Sequence, residues 1–184
     1  MSWFSRGPKT PRVNPEVEAK CNIFLLQREV ERPDEDDVRA AAQRAWNCRF
    51  AGGTVAPDWF VVGNPSSGLS IVACGAYRVQ VSHEQHPEWD DDEASDVLPH
   101  VRDRAAWGPY TGRIGIDFAF SLHPPTTPVR QAYVARMALE WLSPNIVGIY
   151  HSFPGRYLPM SDDAVQELRE MAANCPDANS GIPL

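Results

Sequence analysis

The residues best suited to chemistry stand in one stretch, where histidines precede a run of carboxylates. Imidazole nitrogens and carboxylate oxygens are the usual protein ligands of Zn²⁺ and Mn²⁺. A divalent-metal site that uses His83 and His86 is therefore one interpretation of this stretch. The acidic residues that follow the two histidines are Glu88, Asp90, Asp91, Asp92 and Glu93.

Two features of the stretch argue against that metal site. Pro87 prevents a helix from running through His83 and His86, so the two imidazoles do not share a helical face. The spacing also lacks the His-Glu-x-x-His pattern of zinc proteases, because the second histidine comes one position too early. We expect an acidic loop in contact with water, with an acidic surface for a partner as the alternative, and we predict no cofactor.

A second candidate site follows the last strand indicated by the sequence. Tyr150 and His151 end that strand, and Arg156 comes shortly after it. Loops that join a strand to a helix often carry binding sites, so these residues could line a pocket for a small ligand or an anion. Packing of the loop by its aromatic residues is the simpler interpretation. Ser152 lacks the Gly-x-Ser-x-Gly surroundings of a hydrolase nucleophile.

A third candidate is the polar side of the sheet. Side chains alternate between the two faces of a strand, so Arg78, Gln80, Arg113 and Asp117 should all point away from the apolar core. Arg78 and Asp117 are expected to pair across neighbouring strands. This face is either a surface in contact with water or an interface for a partner or a second copy of the chain. A catalytic site there is a further alternative.

The hydrophobic pattern predicts the elements that position these residues. Apolar residues spaced as on one helical face begin at Val38, after Pro33 and four acidic residues. A second helix is expected from Thr127 to about Leu142, a third from about Ser161, and a short helix over 99–107. Five strands are predicted, at 21–27, 59–63, 69–82, 113–120 and 146–151.

This order of elements predicts an α+β two-layer sandwich, with one mostly antiparallel sheet of about five strands and its helices packed on one face. A strand-helix-strand unit in each half suggests a split βαβ arrangement related to the ferredoxin-like fold. We expect a flexible tail at 1–20, one domain at 21–173 with an acidic insert at 83–98, and a tail at 174–184.

The element order and the segment Gly148-Ile149-Tyr150-His151 resemble a bacterial α+β domain family of unknown function. The resemblance covers about residues 20–173 and implies a fold. It implies no activity, because the family has no assigned catalytic residue to carry over.

The net charge of −7 is local rather than spread over the chain. Residues 84–96 hold seven acidic residues and no base, and the other 17 acidic residues balance the 17 Lys and Arg. A domain without a basic surface is not expected to bind nucleic acid. No apolar run approaches the roughly 18 residues of a membrane-spanning helix, so we expect a cytoplasmic protein without a membrane span.

Taken together, the residues favour a non-enzymatic protein-interaction module, with a protein partner or self-association through the sheet. The alternative is a hydrolase or binding protein that holds a metal or a small ligand with loop histidines and carboxylates. His83, His86, His123 and His151 are its candidate residues. The four cysteines show no metal-ribbon spacing, and we expect free thiols.

Overall fold

The computed structural model describes residues 21–52, 58–64, 66–85, 110–119, 125–151 and 156–175. Within these ranges, eight strands form one sheet and three helices accompany it. The helices are α1 (Glu35–Trp46), α2 (Thr127–Leu139) and α3 (Asp162–Ala173). The strands are β1 (Asn22–Gln27), β2 (Ala51–Gly52), β3 (Trp59–Asn64), β4 (Leu69–Cys74), β5 (Tyr77–Glu84), β6 (Gly112–Phe118), β7 (Ile146–His151) and β8 (Arg156–Pro159).

The sheet has the strand order β2-β3-β4-β5-β6-β1-β7-β8. All neighbouring strands are antiparallel except the short pair β2 and β3, which is parallel. The first described strand, β1, lies inside the sheet, where Phe24 is opposite Gly115 of β6 and Tyr150 of β7. The sheet therefore depends on pairing between residues that are far apart in the sequence.

The main core lies between one face of the sheet and the helices. Strand residues such as Leu25, Val72 and Ile116 are fully buried there, together with Trp46 of α1 and Leu168 of α3. Alternate residues of the same strands point to the other face, as the pleat requires. The second, smaller apolar cluster, built around Leu26 and Tyr150, contains no helical residue.

Helix α1 forms where the sequence predicts it. Asp34 is the N-cap, and its carboxylate accepts from the backbone N–H of Asp37 at 2.9 Å while Asp37 accepts from the backbone N–H of Asp34. This reciprocal arrangement satisfies two backbone donors that the first turn otherwise leaves unpaired. The predicted stripe from Val38 to Trp46 is buried. Pro33, which suits the first position of a helix by its fixed φ, lies before the N-cap residue Asp34 instead.

The α+β class and the mostly antiparallel sheet are confirmed, but the number of strands is wrong. The predicted strand at 69–82 is two strands, because Gly75 adopts a left-handed conformation with φ of 61° and reverses the chain. Strand β8 was not predicted, since four residues give too short a pattern. The split βαβ arrangement in each half is not confirmed: α2 joins β6 to β7 on either side of β1, but α1 leads from β1 to β2 at the far edge of the described sheet.

Several predictions fall on residues outside the described ranges. They are the short helix at 99–107, most of the acidic insert at 83–98, the tail at 1–20 and most of the tail at 174–184. The helices that are described are too short and too polar to cross a membrane. All four cysteines are free, and Cys21, Cys48 and Cys74 are buried.

Candidate functional site

The sheet surface opposite the helices is the first candidate site, and we refer to it as the helix-free face. It carries Phe24, Phe60, Ile71, Arg113 and Tyr150, and no described helix packs on it. Each of these residues alternates with a neighbour that is buried in the main core. The face divides into an aromatic end, a polar strip and an aliphatic end.

The aromatic end is formed by β1, β7 and β8. The rings of Phe24 and Tyr150 are stacked, with 6.1 Å between centroids and 19° between planes. A Cβ atom at Gly115 would be only 3.1 Å from a ring carbon of Phe24. A Cβ atom at Gly148 would be 2.5 Å from a ring carbon of Tyr157. Both positions therefore favour glycine, because the two rings occupy the space where a side chain would begin.

Burial changes the acidity of the tyrosines at this end. It raises the pKa of Tyr157 to about 12, with a smaller contribution from the neighbouring Tyr110. Burial also raises the pKa of Tyr150. Both phenols therefore keep their protons at neutral pH, and neither can serve there as a base or a nucleophile.

The polar strip runs along β5 and β6 in the middle of the face. The Arg113 guanidinium donates to Glu84 with an Nε to Oε2 distance of 2.9 Å, and it also lies 4.9 Å from the ring centroid of Phe24. Asp117 stands opposite Gln80 of β5. Ser82 occupies the position opposite Gly115. The strip thus carries both signs of charge beside the aromatic end.

The aliphatic end is formed by β3 and β4. Leu69, Ile71 and Val62 are half-buried there. The Arg78 guanidinium lies 5.5 Å from the ring centroid of Phe60, and Ala73, which lies between these two residues in the sheet, is fully buried. A cation over an aromatic face is attracted by the electron density of the ring. The contact between Arg78 and Phe60 therefore helps to cover Ala73.

The predicted polar side of the sheet is where the alternation places it. Gln80, Arg113 and Asp117 all lie on the helix-free face, together with Arg78. Asp117 is directly opposite Gln80 on β5, so Arg78 is its diagonal rather than its direct neighbour. The Arg78 guanidinium donates to the backbone carbonyl oxygens of Gly75 and Tyr77.

The predicted pocket of Tyr150, His151 and Arg156 is not one site. Tyr150 and His151 are consecutive in a strand, so they point to opposite faces of the sheet. Arg156 is opposite His151 on the helix side, and its guanidinium contacts Glu167 of α3 at 3.2 Å. The structure therefore brings His151 and Arg156 together but separates both of them from Tyr150.

His151 is enclosed rather than open to a ligand. It is 3% exposed, and its Nε2 has no hydrogen-bond partner among the described residues. The cavity beside it measures about 10 Å³ and is lined by residues that include Cys21, Gln131 and Met171. A space of that size holds about one water molecule. Burial, and secondarily the charge of Arg156, lowers the pKa of His151 to about 4.

The second candidate site is an open cleft on the helix side of the sheet, between the start of α1 and the ends of β3, β4 and β5. It measures about 360 Å³ and adjoins a further space of about 310 Å³. His83 borders both spaces, as does the N-cap residue Asp34. Burial, with a contribution from Arg32, lowers the pKa of His83, so its imidazole is neutral at neutral pH.

The carboxylates of this cleft already have partners. Glu35 accepts from the backbone N–H of Gly63 at 2.9 Å and also pairs with Arg39, which contacts Asp36 as well. The predicted metal ligand His86 lies outside the described residues. In the part of the chain that is described, no three His, Cys, Asp or Glu side chains are grouped to hold a metal ion.

Sequence reasoning missed the apolar side chains of the helix-free face. Phe24 and Leu26 belong to the run Cys21–Gln27, which is apolar at nearly every position. A strand with apolar residues on both faces reads as a continuous apolar run, so this run was the available signal. The carboxylates at the start of α1 are favoured there by the positive end of the helix dipole. Nothing in the sequence showed that a cleft lies beside them.

Comparison with known proteins gives no relative from which a role can be transferred. No protein-family model matches the chain, and neither does any curated protein or solved structure. The resemblance to a bacterial family of unknown function therefore stays a prediction.

Proposed function

We propose that this domain is a non-enzymatic protein-interaction module and that the helix-free face is its contact surface. The observation that carries the proposal is the composition of that face. Aromatic and aliphatic side chains lie at its two ends, and charged groups lie between them. Apolar surface that is grouped and bordered by polar residues is typical of protein contact sites.

The residue types of the face support the same proposal. Phe24 and Tyr157 are half-buried there, beside Gly115 and Gly148. The two arginines are held over aromatic rings, and arginine and aromatic residues are enriched at the centres of protein interfaces. A surface of this composition suits a folded partner.

Site-specific photocrosslinking tests the proposal. A photoreactive amino acid is placed at Ile71 on the helix-free face, and the matched control carries it at the exposed Gln166 on α3. We expect a discrete crosslinked product from position 71 in extracts of the source cells or with the purified protein, and none from position 166. Absence of any product at 71, and at a second face position such as Val62, would contradict the proposed function.

A second candidate function is the binding of a small ligand or a metal in the cleft beside α1. The observation in its favour is His83, whose imidazole borders both the cleft beside α1 and the space that adjoins it. Metal analysis of protein purified without a histidine tag tests it. A stoichiometric transition metal that survives dialysis, and is lost in the His83→Ala/His86→Ala variant, would favour this function over the first.

A further inference from the structure

We infer that the cleft beside α1 binds a small organic cation, with its ammonium group at the carboxylates of the rim and a hydroxyl group at Ser70 on the floor. The inference rests on the second candidate function, ligand binding in this cleft, and it names the chemical class of the ligand. Three features of the described residues carry it. They are a buried hydroxyl without a partner, an imidazole on the same face of the sheet, and an excess of carboxylates.

Ser70 lies on the floor of the cleft, on the helix side of β4. The residue is 7% exposed and lines the cleft, and its side chain shares a face of the strand with the core residue Val72. Its hydroxyl forms no hydrogen bond with another residue in the described part of the chain. A buried hydroxyl that lacks a hydrogen bond is unfavourable, so the floor of the cleft favours a ligand with a hydrogen-bonding group.

The His83 imidazole supplies a second hydrogen-bonding group beside Ser70. Ser70 is opposite Val81 on β5, so His83 is its diagonal neighbour on the same face of the sheet. The imidazole also forms no hydrogen bond with a described residue. A Cβ atom at Gly68 would lie 2.9 Å from His83 Nε2, and one at Gly63 would lie 3.1 Å from Ser70 Oγ. Glycine at both positions therefore leaves room beside the two polar groups.

Carboxylates outnumber cations at the rim of the cleft. Residues 34–37 are four consecutive acidic residues at the start of α1. The cations described beside them are Arg32 and Arg39, so four carboxylates against two guanidinium groups leave a formal charge of −2. The positive end of the helix dipole offsets only about half an elementary charge. The rim therefore attracts a cation.

Asp34 is the carboxylate best placed to hold that cation. It lines the cleft and forms no ion pair with a described residue, whereas Glu35 and Asp36 both pair with Arg39. Its Oδ1 accepts from the backbone N–H of Asp37, which leaves Oδ2 for an ammonium group. A hydrogen bond between two charged groups is shorter and stronger than one between neutral groups.

Two other ligand classes fit the cleft less well. An anion would meet the carboxylates of Asp34 and Asp37, which already accept from backbone N–H groups of the first turn. A metal ion needs several protein ligands at once, and no such group of side chains occurs among the described residues. An ammonium group needs only one or two acceptors. The volume of about 360 Å³ is typical of sites for small molecules.

Two-dimensional NMR of the full-length, isotope-labelled protein is the first test. The probe is ethanolamine, which carries an ammonium group and a hydroxyl group at neutral pH. Its matched controls are ethylene glycol, in which a second hydroxyl replaces the ammonium group, and glycolate, in which a carboxylate replaces it. We expect ethanolamine to shift the backbone amides of Gly63, Gly68 and Ser70 with a saturable titration curve at constant ionic strength. Ethylene glycol and glycolate should bind at least about tenfold more weakly, because neither is a cation.

Two variants test whether the cleft is the binding site. Asp34→Asn removes the charge but keeps a good N-cap residue, and we expect ethanolamine to bind about tenfold more weakly because a charge-assisted hydrogen bond is lost. Ser70→Ala removes the hydroxyl of the floor and should weaken binding about fivefold. The matched controls are Asp162→Asn in the first turn of α3 and Ser82→Ala on the opposite face of the sheet. Both control variants should bind ethanolamine as the wild type does.

The results separate this inference from the proposed functions. If ethanolamine shifts no amide of the cleft, or if Asp162→Asn weakens binding as much as Asp34→Asn does, the inference is wrong. Equal binding of ethylene glycol would overturn the cationic class but leave ligand binding in the cleft intact. If Ser70→Ala does not fold, Asp34→Asn decides alone. The photocrosslink at Ile71 reports on the helix-free face, so the proposed contact surface and this inference can fail separately.

Discussion

At the scale of single residues, His151 is a titratable group that the fold removes from contact with water. Its imidazole is almost fully buried, and its Nε2 has no hydrogen-bond partner among the described residues. A charged imidazole there would be buried and would lie near the positive charge of Arg156. The folded protein therefore holds His151 neutral, and the residue acts as part of the core rather than as a ligand or a base.

The buried imidazole makes stability depend on pH in a defined direction. The pKa of His151 is about 4 in the folded protein and about 6.5 in an unfolded chain. The unfolded state therefore binds more protons between these values, and stability falls as the pH is lowered through this window. From about pH 7 to about pH 5, the free energy of unfolding should fall by about 2 kcal/mol through this residue alone.

Urea unfolding of the wild type and of His151→Gln at several pH values measures this effect. We expect the variant to lack that part of the pH dependence while other titrating groups act equally in both proteins. Parallel curves for the two proteins between about pH 7 and pH 5 would show that His151 is not held neutral. His83→Gln is a useful comparison, since that imidazole lies at the cleft and is less enclosed.

The sequence correctly predicted which face of the sheet a side chain occupies where the strand alternates regularly between apolar and polar residues. The alternation in β6 correctly places Arg113 and Asp117 on the face opposite Ile114. It also forbids Tyr150 and His151 from sharing a pocket, a consequence that the loop argument overlooked. The need for glycine at 115 was not predictable, because it arises from the Phe24 ring of a strand far away in the sequence.

At the scale of elements, α1 shows how local chemistry defines a helix. Its start is fixed by the reciprocal hydrogen bonds of Asp34 and Asp37, and its end by Asn47, which adopts a left-handed conformation with φ of 48°. These signals lie within a few residues of the boundaries they set. The sequence therefore predicted the helix well, whereas strand β8 depends on its neighbour β7 and left no such signal.

Removing the cap should weaken the protein measurably. Asp34→Ala leaves the backbone N–H of Asp37 without its partner, and we expect the free energy of unfolding to fall by about 1 kcal/mol. Asp36→Ala is the matched control on the same turn. Asp36 is exposed and contacts only the side chain of Arg39 in the interactions described, so its loss should cost at most about 0.5 kcal/mol. Equal losses in the two variants would contradict the role of the cap.

At the scale of the whole molecule, the two strands that flank the acidic segment pair with each other in the sheet. Strands β5 and β6 pair in register up to Glu84 and Arg113, which also form an ion pair. The ends of the connection between them are therefore fixed by the sheet itself. The seven acidic residues at 84–96 give the chain its net charge, but Glu84 alone belongs to the described sheet.

Deleting residues 88–93 tests whether the acidic segment contributes to the stability of the fold. Since the sheet fixes both ends of the connection, and a shorter loop changes the closure entropy only slightly, we expect the melting temperature to stay within about two degrees of the wild type. Differential scanning calorimetry measures it. A loss of several degrees would show that the acidic segment packs or pairs within the fold.

The position of β1 has a consequence for how the chain reaches this fold. β1 is the one strand that joins β6 to β7, and both of these partners are made long after it during synthesis. The apolar segment around Leu25 therefore cannot pair with β6 and β7 until most of the chain has been synthesised. Pairing across such sequence distances slows folding, and apolar segments that stay exposed meanwhile can aggregate with other chains. β1 therefore acquires its two partner strands late in synthesis, and the yield of folded protein should depend on how well its apolar segment is kept from aggregating until then.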